Sequence, residues 1–370
     1  MMMQLLKKMV FGLALSAAFC TLPSPSRAND NFVDGSLEKA LTRVARDLLA
    51  WMAEEQVDTV AIGDFSGHPQ FGYSGPLLQK TLADELEKQK KNVANPQSPH
   101  LVSGEWFWPQ KKNPQGLIEI QIEIKIRSSA GRSQVFNCQV TSTRDVAKLI
   151  APNGHIDPDG SKKDRHNDLR KQHDNKKTEP AIEIRNQTVV ALKGQPFAVE
   201  ILAKPLTQSS HPARPVKASI NNYGDPCVDI PQGNIYEIKI HNDGKAEVAV
   251  AIAIDGLDVF TFSDDKSLKY HILEPYSKPV IVGWHKSVKE KRYDSFLLTE
   301  YGKGTISKFP TTPRNKVGQI QVQFSFSHNN KNGARSGAET GFGPPRHVEH
   351  QVVTRQIDPP HAFITIRYGR

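Results

Sequence analysis

The chain has 370 residues and a formal net charge of +9, a balance that at first sight suits a protein that binds nucleic acid. Most of this charge lies in two short segments: residues 1–28 hold three basic residues and no acidic one, and residues 161–177 hold seven lysines and arginines against three aspartates. About +2 is left for the rest of the chain, so the basic face of a nucleic-acid binder is missing and we exclude nucleic acid as a partner.

The first 28 residues have the features of a secretory signal peptide. Lys7 and Lys8 precede an apolar run at 9–19, and Ser26-Arg27-Ala28 places small residues at the −3 and −1 positions of a cleavage site. The apolar run is too short to span a bilayer, which needs roughly 20 residues. We therefore predict an exported protein, periplasmic or extracellular, with no transmembrane segment in the mature chain.

Residues 30–151 are predicted to form a small α/β domain in the order α-β-α-β-β-β-α. The predicted elements are a helix capped by Ser36, a strand at 59–65, a helix opened by Ser74 and Pro76, a strand at 101–106, paired strands at 118–126 and 134–141, and a helix at 145–150. Isoleucine alternates with polar residues along 118–126, as in a strand with one buried face. We expect a mixed sheet covered by helices.

A family resemblance runs through the same residues. The segments "VAIGDF", "GPLLQKTLADELEKQ", "LVSGEW" and "IEIQIEIKIRSSAGRSQVFNCQV" follow one another as in the small α/β domain of curli secretion-channel lipoproteins. The order also resembles the N-terminal domains of Tol-system periplasmic proteins. The resemblance implies an assembly or protein-docking domain of the cell envelope. The chain lacks a good lipidation site and the extra strands of a channel wall, so a secretion pore is not expected.

The segment 152–180 is predicted to be a disordered, charged linker. It is rich in lysine, aspartate, asparagine and histidine and has almost no large apolar residues. Such a composition buries too little apolar surface to offset the entropy lost on ordering.

Residues 181–370 are predicted to form an all-β sandwich, so the overall class is α+β. Short apolar strands alternate with turn signals, and Asn242-Asp243-Gly244 is predicted to join two of them in a hairpin. The patterns "YEIKIHNDGKAEVAVAIAIDGLDVFTF", "YHILEPYSKPVIVGW" and "HAFITIRYGR" resemble an uncharacterised β-sandwich module of exported bacterial proteins.

Cys138 and Cys227 remain after removal of the signal peptide. Export permits a disulfide, and here it would link the two predicted domains. The alternative is two buried thiols that pack as small hydrophobes.

Seven residues are candidates for contact with a partner or ligand. The loop after the first strand holds Asp64, His68 and Tyr73, and we expect it to contact a partner; no G-x-S-x-G elbow marks a catalytic serine there. Trp106, Phe107, Trp108 and Trp284 are the aromatic residues on which a glycan-binding function would depend. The alternative for Trp106 and Trp108 is that they share one face of a strand, with Phe107 on the other. Asp255 beside Trp284 is either a ligand site or, more simply, an Asp-Gly turn with positive φ at Gly256 next to a core aromatic.

No metal or cofactor is predicted. The histidines and aspartates between 155 and 173 lack the spacing of a calcium loop. The sequence thus predicts a non-catalytic cell-envelope protein that interacts with a protein partner. A glycan- or peptidoglycan-binding protein is the alternative, and a hydrolase with dispersed catalytic residues is a further one.

Overall fold

A computed structural model describes residues 35–67, 74–108, 113–129, 131–300, 303–304, 318–329 and 352–369. The predicted signal peptide, His68 and Tyr73 lie outside these residues. The fold is mixed α+β and mainly β.

The N-terminal part, residues 35–151, has the predicted order of elements. They are α1 (Leu37–Glu54), β1 (Ala61–Gly67), α2 (Gly75–Gln89), β2 (Leu101–Phe107), β3 (Ile120–Arg127), β4 (Ser133–Val140) and α3 (Thr143–Ile150). The sheet has the order β1-β2-β3-β4, with β1 and β2 parallel and the other pairs antiparallel. The predicted mixed sheet is therefore present.

Local chemistry accounts for these elements. The Ser36 side chain accepts a hydrogen bond from the Lys39 amide, which caps α1. The isoleucines at even positions from 118 to 126 are all buried, and α1 and α2 contribute leucines to the same core. Gly104 of β2 is required by packing, because an added Cβ would lie 2.6 Å from the Phe65 ring and 2.7 Å from the Glu123 carbonyl oxygen.

The described residues of the C-terminal part, between 181 and 369, form two sheets. Their strands are β6 (Ile182–Arg185), β7 (Val189–Leu192), β8 (Phe197–Pro205), β10 (Ala218–Ile220), β11 (Pro226–Val228), β12 (Asn234–Asn242), β13 (Val248–Ile254), β14 (Leu257–Asp258), β17 (Gly283–Ser287), β18 (Arg292–Leu297), β19 (Gln319–Asn329) and β21 (Ala362–Tyr368). The first sheet has the order β10-β11-β21-β19-β13-β14, and the second has the order β17-β18-β12-β8-β7-β6. The short strands at the margins are β9 (Arg214–Pro215), β15 (His271–Leu273), β16 (Val280–Ile281) and β20 (Arg355–Ile357). Apolar side chains from both sheets form one core, as in a β-sandwich.

The hairpin predicted at residues 242–244 is wrong. β12 pairs with β8, whereas β13 pairs with β19 in the other sheet, so the chain crosses between sheets at this point. Asn242 holds the crossing: its amide nitrogen donates to the carbonyl oxygens of Ala246 and Glu274, both at 2.9 Å. A local turn signal does not distinguish a hairpin from such a crossing, because both need the chain to reverse.

The junction segment, residues 152–180, is ordered, so the prediction of a disordered linker is wrong. It contains β5 (Gly154–His155), which pairs with β21, and α4 (Lys162–Asn175). Ser161 and Asp164 form a capping box that starts α4. Ile156 and Leu169 are completely buried in the core of the N-terminal part. Two well-placed apolar side chains and a strong cap thus anchor a segment whose average composition is that of a solvated chain.

The outer face of β19 and β21 is polar and nevertheless buried. Gln321 donates to the Ala147 carbonyl oxygen at 2.9 Å, and the Thr365 amide donates to the Asn153 side chain at 2.6 Å. Phe363 of β21 packs into the core of the N-terminal part. The described residues between 35 and 369 accordingly belong to one compact unit.

Among the helices of the described residues, none is both long and apolar enough to cross a membrane.

Candidate functional site

The four-stranded sheet has one face against the helices and one face open to solvent. We call the exposed side the open sheet face; its members alternate in sequence with the buried isoleucines and with Val102, Trp106, Phe136 and Cys138. It comprises Leu101, Ser103, Glu105, Phe107, Gln121, Glu123, Lys125, Arg127, Ser133, Val135, Asn137 and Gln139.

Large apolar side chains lie exposed among the charges of this face. Leu101, Phe107 and Val135 are 48%, 42% and 37% exposed. Phe107 is opposite Gln121, and Val135 is opposite Lys125. Single exposed apolar side chains are common on protein surfaces. Here three large ones share one face of one sheet.

Two carboxylates on the open sheet face oppose each other directly. Glu105 of β2 and Glu123 of β3 are register partners, and side chains in that position lie about 4.5–5.5 Å apart at Cβ. Lys125 approaches Glu123 at 3.9 Å, which offsets only part of the repulsion. A like-charged cross-strand pair lowers stability, so this face carries a feature that folding alone does not favour.

Asp64 lies at the margin of this face, in a β-bulge. Between Ile62 and Phe65 two residues of β1 oppose one residue of β2. The Gln79 side chain donates to the Gly63 carbonyl oxygen at 2.7 Å and thereby holds the bulge. The Leu101 side chain lies against Gly63, which joins the bulge to the open sheet face.

The three aromatic residues at the end of β2 separate as a strand requires. Trp106 is 1% exposed and packs in the core, Phe107 points to the open sheet face, and Trp108 is half-buried on the side of the core. The Arg170 guanidinium lies 5.1 Å from the Trp108 ring centroid, and the His173 ring lies at 5.3 Å. Trp106 and Trp108 therefore share the core-facing side of the strand, as the alternative interpretation predicts. Side chains of α4 pack against Trp108.

Asp255 is part of a tight turn, as the simpler interpretation predicts. Its φ is +52° and that of Gly256 is +81°, between the paired strands β13 and β14. Its carboxylate accepts hydrogen bonds from the Gly318 and Gln319 amides at 2.6 and 2.9 Å and from the Tyr368 hydroxyl at 2.5 Å. Burial raises the pKa of Asp255, and these hydrogen bonds oppose the rise. The carboxylate is thus fully occupied by the protein itself.

Trp284 belongs to the core of the sandwich. Its ring meets those of Phe262 and Phe296 edge to face, both at 5.4 Å. A ring so enclosed offers no face for a sugar, so glycan binding loses two of the tryptophans on which it depended, Trp106 and Trp284.

Sequence reasoning missed a serine–histidine pair close to Trp284. Ser263 Oγ lies 2.9 Å from His285 Nδ1, and both side chains are buried. Burial lowers the pKa of His285, although Asp264 and Asp265 oppose this effect. Ser263 also accepts from the Asp265 amide at 3.1 Å. The distance between the two side chains is that of a nucleophile and its base, but both are buried and the contact joins a loop to β17. The two residues are 22 positions apart in no recognisable motif, so only the structure shows that they meet.

Asp258, close to the same loop in sequence, has a raised pKa. Burial raises its pKa to about 6, against the opposing charges of Lys148 and Lys269. Its carboxylate accepts from the Phe260 amide at 2.9 Å.

Cys138 and Cys227 are not joined in an interdomain disulfide, which was one of the two alternatives. Cys138 is buried in the N-terminal part, as the other alternative expects, whereas Cys227 is only half-buried. Within the described residues, histidine, cysteine and carboxylate side chains nowhere form a group of three that could hold a metal ion.

No family model matches the chain, and neither a curated protein nor a solved structure matches it.

Proposed function

We propose that this chain is an exported, non-catalytic cell-envelope protein, periplasmic or extracellular, whose N-terminal part binds a protein partner through the open sheet face. The proposal rests on one observation above all: apolar side chains and a like-charged glutamate pair are exposed together on that face. Export is supported by the signal-peptide pattern of residues 1–28.

The chemistry of the face points to the kind of partner. Two acidic side chains, Glu105 and Glu123, share the face with two basic ones, Lys125 and Arg127. Their charges balance, which suits neither a nucleic acid nor an anionic membrane surface. The Glu105–Glu123 pair would gain most from a lysine or arginine placed between the two carboxylates. Leu101, Phe107 and Val135 would pack against apolar side chains around that basic group. The partner is therefore a folded protein with a basic residue in an apolar surround.

Site-specific photo-crosslinking in the native host tests this proposal. A photo-reactive phenylalanine analogue replaces Phe107 or Val135 in the full chain, and Tyr223, 71% exposed on the loop between β10 and β11, is the matched control position. We expect one discrete adduct of the same partner from positions 107 and 135 and none from 223. Adducts absent from both test positions, or equal at all three, would contradict the proposal.

A second variant separates binding from folding. Glu105→Gln removes the like-charge repulsion, so it should raise the free energy of unfolding by about 0.2–1 kcal/mol while it weakens adduct formation at position 107. A variant that is stabilised and binds normally would show that the glutamate pair has no role in recognition.

A further inference from the structure

His361 is buried where the junction segment joins the sandwich. Its amide donates to the Phe324 carbonyl oxygen at 2.9 Å, and its carbonyl oxygen accepts from the Ile156 amide at 2.7 Å. The residue therefore links β19 to the junction segment through its main chain. Its ring is completely buried and stacks on Phe326 with centroids 4.0 Å apart.

The surroundings of the His361 ring suit only the neutral form. Neither ring nitrogen has a hydrogen-bond partner among the described residues. A charged imidazole has two N–H donors, and burying them without acceptors costs far more than burying the neutral ring. Burial accordingly lowers the pKa of His361 to about 4.

His166 of α4 fastens the junction segment to the N-terminal part by a different route. Its side chain is buried, and its Nδ1 accepts a hydrogen bond from the Ile118 amide at 2.9 Å. A protonated ring would direct an N–H against that amide N–H, so protonation and docking exclude each other. Burial chiefly lowers its pKa to about 4, and the charges of Lys162 and Arg165 add to the effect, while a main-chain bond with Thr141 opposes it.

The other ionisable groups around His361 do not offset the preference of its ring for the neutral form. His155 of β5 lies with its ring centroid 5.9 Å from that of His361, so two charged rings would repel each other. His155 is exposed, and partial desolvation of its ring lowers its pKa against the attraction of Asp157 and Asp168. Asp358 raises the pKa of His361, but burial outweighs it.

We propose that the junction segment is an acid-sensitive fastening: protonation of His166 and His361 releases it from the two cores that it joins. The other anchors of the segment are the two residues of β5, the hydrogen bond between Asn153 and Thr365, the side chains of Ile156 and Leu169, and the contact of α4 with Trp108. Only a few of these side chains are buried. An element with so few buried contacts opens at a lower free energy than the cores around it.

The direction of the pH effect follows from the two pKa values. When the segment is released, His166 within it and His361, which it uncovers on the sandwich, return to the ordinary pKa of about 6.5, above the docked value of about 4. Docking is therefore at full strength above pH 6.5 and weakens as the pH falls towards 4. At pH 5 each histidine shifts the equilibrium towards release by about 30-fold, and the two together by on the order of 10³-fold.

Hydrogen–deuterium exchange of the full chain at pH 7 and pH 5 tests the inference, with protection factors corrected for intrinsic rates. We expect protection of residues 154–175 to fall by about 100-fold or more at pH 5, while β3 and β12 keep theirs. Unchanged protection of the segment at pH 5 would overturn the proposal, and so would an equal loss over both cores, since that is global unfolding.

Non-titrating variants isolate the two rings. In His166→Gln the amide oxygen can still accept from Ile118, and in His361→Phe the ring can still stack on Phe326. The double variant should keep the protection of residues 154–175 within about tenfold between pH 7 and pH 5, whereas His211→Gln, at an exposed position, should behave as the wild type. A double variant that loses protection like the wild type would overturn the proposal.

A measurement on the wild type covers the case in which a variant does not fold. NMR titration of the histidine ring protons gives the pKa of His166 and His361 directly. Values below 5 for both support the acid-sensitive fastening, and values of 6 or more for both refute it.

Discussion

Replacing Asp255 tests whether the turn at residues 255–256 stabilises the sandwich. Its carboxylate accepts three buried donors, namely the Gly318 and Gln319 amides and the Tyr368 hydroxyl. Asp255→Ala leaves all three without an acceptor, at about 1–3 kcal/mol each when they stay buried. Partial relaxation lowers the sum, so we expect the free energy of unfolding to fall by about 3–6 kcal/mol.

Matched variants at the same turn separate the sources of this loss. Asp255→Asn keeps one oxygen for the two amides and tolerates the φ of +52°, so it should cost about 1–2 kcal/mol. Asp255→Gly avoids the strain of positive φ that alanine has at this position, so it should be about 1 kcal/mol more stable than the alanine variant. It still leaves the three donors without an acceptor. Tyr368→Phe removes a single donor and should cost about 1–2 kcal/mol.

Urea unfolding followed by tryptophan fluorescence measures these differences. The comparison holds when the m-value, the slope of the free energy of unfolding against urea concentration, is the same for all variants. The expected order of loss is alanine, then glycine, then asparagine. An alanine variant within about 1 kcal/mol of the wild type, or an asparagine variant as unstable as alanine, would refute the argument from unpaired donors.

Two further predictions concern the packing around Gly104 and the reactivity of the two cysteines. Gly104→Ala should lower the free energy of unfolding by about 1–3 kcal/mol, because its Cβ would meet the Phe65 ring and the Glu123 carbonyl oxygen; a thermal melt that matches the wild type contradicts the packing argument. In the folded chain a thiol reagent should react with half-buried Cys227 and spare buried Cys138, which mass spectrometry of the labelled peptides checks; equal labelling of both thiols would show that the core is not closed around Cys138.

Local patterns were sufficient for the N-terminal part. Ser36 lies at the start of α1 as a cap, and the alternation from Ile118 to Ile126 indicates both the strand and its buried face. Both signals operate over a few residues, so they survive without knowledge of the rest of the chain. The same alternation also identifies the residues of the open sheet face on β3. Only the register of the strands in the structure shows that Glu105 opposes Glu123.

The sequence by itself therefore determined the order of elements up to residue 151 and the turn at Asp255-Gly256, because helix caps, strand alternation and positive φ are local properties. Only the tertiary structure decided that β12 and β13 lie in different sheets and that the junction segment is ordered. Both depend on partners remote in the chain: the Thr365 amide donates to Asn153 across 212 positions, and Leu169 lies in the buried core of the N-terminal part. Composition averages over a segment, whereas burial depends on where single side chains such as Ile156, His166 and Leu169 meet the rest of the fold.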